Sequence, residues 1–108
     1  VKCYIRPAAR DDLLRQYRYL LLDQESPIAA EKFLAAAERA VRQICQRPNI
    51  GTPKPLKNPR LADLKSWPLQ DFPAIRIYYL PGKAIHVLRI LHGKRDINPM
   101  LENESDEP

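Results

Sequence analysis

A chain of 108 residues holds one domain with a modest core, and folding would bury roughly two-thirds of the surface that the unfolded chain exposes. No apolar run approaches the ~20 residues of a membrane span and no signal-peptide core opens the chain, so a cytoplasmic protein that does not engage a membrane is expected. Eighteen Lys and Arg face thirteen Asp and Glu, a net charge of +5. Glu102, Glu104, Asp106 and Glu107 account for four of those acids, leaving nine against eighteen bases, about +9, in residues 1–101. Such a field attracts nucleic acid or acidic proteins, unless it is only a solvated basic surface.

In chain order, Val1 to Arg6 alternates loosely and suits a short strand, ended by Pro7. From Ala8 to Gln24, Leu13, Tyr17, Leu20 and Leu21 recur at helical spacing, with Asp11 and Asp12 near the positive end of the helix. Ser26-Pro27 supplies an N-cap and first residue for a second helix. Its apolar stripe is Ala30, Phe33, Leu34, Ala37, Val41, Ile44 and Cys45, and its alanines allow close helix packing or a shallow groove. The short link between the helices predicts an antiparallel hairpin.

Residues 47–60 carry Pro48, Pro53, Pro55 and Pro59, which predicts a stiff basic connection without regular structure. Leu61 to Trp67 reads as a strand, and Pro68 and Pro73 frame a turn at Gln70-Asp71. Two β-branched and aromatic runs, 74–80 and 84–92, flank Pro81-Gly82-Lys83 and predict a β-hairpin. The hairpin ends in a charged exit, His92-Gly93-Lys94-Arg95-Asp96, with a positive φ expected at Gly93. Asp96 to Leu101 suits a last short strand or turn. A domain over 1–101 is expected, followed by a frayed acidic tail, 102–108. The fold class is therefore α+β, β-α-α-β-β-β, with an antiparallel sheet packed on an N-terminal helical hairpin.

Cys3 and Cys45 are too few and too far apart for a zinc site. Two buried free thiols are the expectation, with one disulfide as the alternative. No metal cluster, Gly-rich phosphate loop or nucleophile–base pair is present, so no cofactor is expected.

The element order, Pro48-Asn49-Ile50-Gly51 after the second helix, Arg76-Ile77-Tyr78-Tyr79, and Val87-Leu88-Arg89-Ile90-Leu91-His92-Gly93-Lys94-Arg95-Asp96-Ile97 together resemble the RelE/ParE toxins of type II toxin–antitoxin modules. The resemblance spans residues 3 to about 98 and is closer to the ParE branch, the plasmid stabilisation proteins. That branch implies a toxin that inhibits DNA gyrase by binding, with no chemistry of its own, and a cognate antitoxin that wraps and neutralises it. The RelE branch implies instead a ribosome-dependent endoribonuclease that cuts mRNA. There a 2′-hydroxyl attacks the adjacent phosphate, basic side chains stabilise the developing charge, and a residue near the C-terminus moves a proton. By resemblance Arg76 and Arg95 match two of the nuclease arginines and Lys65 lies in the lysine-bearing strand. His92 is the available proton carrier, since an imidazole titrates near neutrality. The nucleases' proton-transfer position falls at Met100-Leu101, where neither side chain can serve, which favours the ParE reading. A third reading is a remnant that binds antitoxin without toxicity.

The candidate target-binding residues are Arg76, Arg89, His92, Lys94 and Arg95; as a nuclease the candidates would be Lys65, Arg76, His92 and Arg95. For Arg76 and Arg89 the alternative is an ion pair with Asp71 or Asp96, and Asp96 could orient Arg95. Tyr78, Tyr79 and Trp67 read as core or interface aromatics.

Overall fold

A computed structural model describes residues 2–95 and 97–101. Strand β1, Lys2–Ile5, stops where Pro7 offers no N–H to a ladder and starts helix α1, Pro7–Arg18. The helix continues through one wider π-helical turn, Tyr19–Asp23, for which the sequence carries no signal. Ser26 caps the next helix, α2 (Pro27–Gln46), its Oγ accepting from the Ala29 N–H at 3.2 Å.

The chain then forms β2 (Thr52–Pro53), a 3₁₀ turn (Pro59–Leu61), β3 (Lys65–Leu69), β4 (Phe72–Leu80), β5 (Ala84–His92) and a last helical turn, α3 (Asn98–Leu101). The five strands make one sheet in the order β1-β5-β4-β3-β2. The α+β class and the helical hairpin on the sheet are as the sequence predicts. The sheet, however, is mixed: the two helices carry the chain across, so β1 lies parallel to β5, pairing Cys3 with Ile85 and Ile5 with Val87.

Three local expectations are corrected. The proline-rich connection does contain regular structure, because Thr52 and Pro53 pair with Ser66 and Lys65 at the sheet edge, where a missing N–H costs nothing. The third strand begins at Lys65, not Leu61. Leu61, Leu64 and Trp67 are three residues apart, the spacing of a helical turn, and Asn58 caps a 3₁₀ turn there by accepting from the Arg60 N–H at 3.0 Å. Cys3 and Cys45 form a disulfide, Cα–Cα 6.4 Å, that ties β1 to the end of α2. Nothing in a separation of 42 residues announces it. The acidic stretch 102–108 lies outside the described residues.

The sheet has a core on each face. Against the helices pack Phe33, Ala36, Ala37, Ala40 and Ile44 of α2 with Ile75, Ile77, Tyr79, Ile85 and Val87 of the hairpin. The alanines bring α2 close to the strands, and Trp67 bridges β3 to α2 by donating its indole N–H to Gln43 Oε1 at 3.0 Å. On the other face Leu61 and Leu64 from the loop and Ile97 and Leu101 from the C-terminal turn cover Tyr78, Leu88 and Leu91.

Candidate functional site

The charged exit of the β4–β5 hairpin divides into three arrangements. Gly93 extends the hairpin ladder by donating its N–H to Ala74 O at 2.8 Å. A Cβ at Gly93 would stand 2.9 Å from Arg76 Cδ, so any side chain here would have to displace the arginine stem that lies across the glycine. No glycine has positive φ, which corrects the conformational reason expected for Gly93. Arg76 turns toward β3, donating from Nε to Ser66 Oγ at 2.9 Å and from Nη2 to Ser66 O at 3.4 Å, a partner that neither reading of this arginine included.

Arg89 goes the opposite way, to α1. It forks onto Asp12 with Nε–Oδ2 2.8 Å and Nη2–Oδ1 2.9 Å, and Asp12 Oδ2 also accepts the Ile90 N–H at 2.9 Å. The reason is at the sheet edge. β1 pairs with β5 only as far as Val87, and the Arg6 N–H closes that ladder on Val87 O at 3.0 Å. Beyond it the Ile90 N–H faces no strand, and the carboxylate of Asp12 takes the place of one. The Asp12 side chain is 2% exposed and that of Arg89 14%, so this is a buried, doubly hydrogen-bonded ion pair.

The third group surrounds the turn after β5. The Arg95 N–H donates to His92 O at 3.1 Å, which folds Arg95 back toward α1 while Lys94 projects into solvent. His92 and Arg95 then line a notch with Arg15 of α1. Asp96 lies outside the described residues, and with it the expected Asp96–Arg95 pair. Lys65 belongs elsewhere: it pairs with Tyr79, whereas Arg76 pairs with Pro68 three positions along β3, about 10 Å at strand spacing. Lys65 borders a hollow made by Pro48, Asn49, Asp63 and Gly82.

That end of the sheet is fixed by a buried hydroxyl. Tyr79 donates to Pro48 O at 2.7 Å and accepts the Gly51 N–H at 2.9 Å, and a Cβ on Gly51 would stand 2.6 Å from the same oxygen. The Pro48–Gly51 motif is thus a clamp on β4. Burial pushes the phenols of Tyr78 and Tyr79 above their ordinary value; the Arg76 charge offsets part of this at Tyr78 and the Gly51 N–H part of it at Tyr79. Both stay protonated at neutral pH. At the C-terminal turn Leu101 is fully buried and Met100 packs beside it. Among the described residues no group of three His, Cys, Asp or Glu comes together to hold a metal ion, and no described helix is long and apolar enough to cross a membrane.

Compared with known proteins, residues 4–97 match the family model described as the ParE toxin of the type II toxin–antitoxin system, parDE. The chain belongs to the ParE toxin family. A solved structure, the chromosomal ParDE toxin–antitoxin system from P. aeruginosa, is similar at 26% identity and TM-score 0.55, over 85% of this chain and 95% of that one. None of the curated proteins compared with the chain matches it. Within the ParE frame, the sequence reading named the arginines of the hairpin and its exit but missed Asp12 and Ser66, which hold Arg89 and Arg76, and Arg15, which shares the notch with His92 and Arg95. The sequence reads Asp12 as an acid near a helix start, but the first turn of α1 holds no acid, and Asp12 lies past it where its partners are Arg89 and the Ile90 N–H.

Proposed function

We propose that this ParE-family chain is a toxin that acts by binding, that its target is DNA gyrase, and that a cognate antitoxin holds it silent. The observation that carries the reading is the C-terminal turn. Where a nuclease of the wider superfamily would keep a proton-transfer group, this chain uses Leu101, fully buried, and Met100, packed on the second core. Lys65 and Arg95 also stand at different ends of the sheet, too far apart to close on one phosphate. In this reading Arg76, His92, Lys94 and Arg95 contact the target, and Arg89 supports them by holding α1 to the hairpin through Asp12.

A groove of about 430 Å³ on the helical hairpin, lined by Ile5, Leu13, Leu34, Ala37 and Val41 with Glu38 and Arg42 at its rim, suits the apolar face of the antitoxin. The charge of about +9 over residues 1–101 favours an acidic partner by sign.

Induced expression in a bacterium lacking the antitoxin tests the proposal. Filamentation, an SOS response and gyrase-dependent DNA breaks are expected. Arrest of translation with mRNA cut at codons would replace it with the nuclease reading, and normal growth with antitoxin binding intact would leave a non-toxic remnant.

A further inference from the structure

Between α1 and the turn after β5 lies a notch of about 70 Å³. Buried Asp12, Ile75 and Ile90 form its floor, and exposed Arg15, His92 and Arg95 its rim. The charge at the floor is already committed, since Asp12 accepts two hydrogen bonds from Arg89 and one from the Ile90 N–H. The rim is not. The Arg15 side chain is 69% exposed and reaches Asp12 only with one nitrogen at 3.5 Å, and Arg95 makes no ion pair among the described residues. Among the described residues that line the notch, two arginines, Arg15 and Arg95, stand against the one carboxylate of Asp12, an excess of one positive charge. The space equals a little more than two waters at about 30 Å³ each, enough for the head of a small anion.

We propose that this notch is a carboxylate-binding site that takes an Asp or Glu side chain from an acidic segment of a protein partner. The proposal rests on the reading of the chain as a protein-binding toxin and names Arg15, which neither the sequence nor the family match singles out. A carboxylate is flat and singly charged, and it matches the fork of a guanidinium with two parallel hydrogen bonds. A phosphate is bulkier and brings more negative charge than the one-charge excess of this lining can match, and is disfavoured on both counts.

Acetate titrated into the ¹⁵N-labelled full chain at constant ionic strength, followed through the arginine Nε–H and the backbone amide resonances, tests the site. Saturable shifts at Arg15 and Arg95 are expected. Arg15→Gln or Arg95→Gln should each weaken acetate about tenfold, the scale of one charge-assisted pair, while Lys57→Gln, outside the notch, should leave it unchanged. Linear shifts, or shifts shared equally with the Lys54–Lys57 loop, would overturn the site. Inorganic phosphate binding as tightly as acetate would overturn it in favour of a nucleic-acid backbone. Growth inhibition is scored separately, so a chain that binds acetate here yet spares gyrase would overturn the proposed function and leave the notch standing.

Discussion

Removing the Asp12 carboxylate would take the acceptor from the buried Ile90 N–H and the two-point fork from the Arg89 guanidinium. Asp12→Ala is therefore expected to cost about 3–5 kcal/mol in denaturant unfolding, the range for breaking a buried ion pair from one side. Asp12→Asn should cost less, because its amide oxygen can still accept the Ile90 N–H. A loss below about 1 kcal/mol for Asp12→Ala would show that the pair does not anchor α1. Arg95→Ala should behave in the opposite way, lowering toxicity in the expression assay while the thermal midpoint stays within a few degrees, since its side chain is exposed. The sequence shows which residues are arginines but not what they meet. Arg89 and Asp12 lie 77 positions apart, and Ser66 has no charge to advertise a role with Arg76. The positive φ expected at Gly93 is absent, and what the glycine gives instead is room for the Arg76 stem.

The elements that the sequence predicted best are those whose signal is internal. In α2 the apolar period, the Ser26 cap and Pro27 all speak within one stretch of chain. The hairpin β4–β5 is equally self-declared, down to its turn at 81–83. β2 was illegible because two residues become a strand only when a neighbour offers an edge. The disulfide is an inter-element bond of the same kind: closing a loop of 42 residues, it should contribute up to about 4 kcal/mol by restricting the unfolded chain. Cys3→Ser/Cys45→Ser, or reduction, is thus expected to lower the thermal midpoint while β1 keeps its pairing with β5, readable by calorimetry and amide exchange at residues 84–87. The Pro48–Gly51 clamp depends on a single atom. Tyr79→Phe deletes both hydrogen bonds of its hydroxyl and should cost about 2 kcal/mol in the same unfolding measurement, with Lys65 and its neighbours losing exchange protection first.

At the scale of the molecule, the two tyrosines make stability depend on alkaline pH. Burial raises the folded-state value of both above the ordinary 10.0, so the folded chain holds its phenolic protons longer than the unfolded one does. Their contribution is whole below pH 10.0 and is lost as pH rises through the folded values. The thermal midpoint should fall as pH rises above 10.0, and Tyr79→Phe should flatten part of that fall. The pairing of β1 with β5 and the Asp12–Arg89 bond also order events in time. The backbone of residues 2–5 and the carboxylate of Asp12 find their hydrogen-bond partners at 84–90, so at synthesis rates of about 5–20 residues per second the first strand waits several seconds for its ladder. Helix α2 and the hairpin can form from local contacts while β1 and Asp12 remain unpaired. The closing of the α1 side, which sets the notch and aligns Arg15 with Arg95, is then the slow, non-local step. The surface proposed here as a binding site is accordingly the last part of the protein to exist.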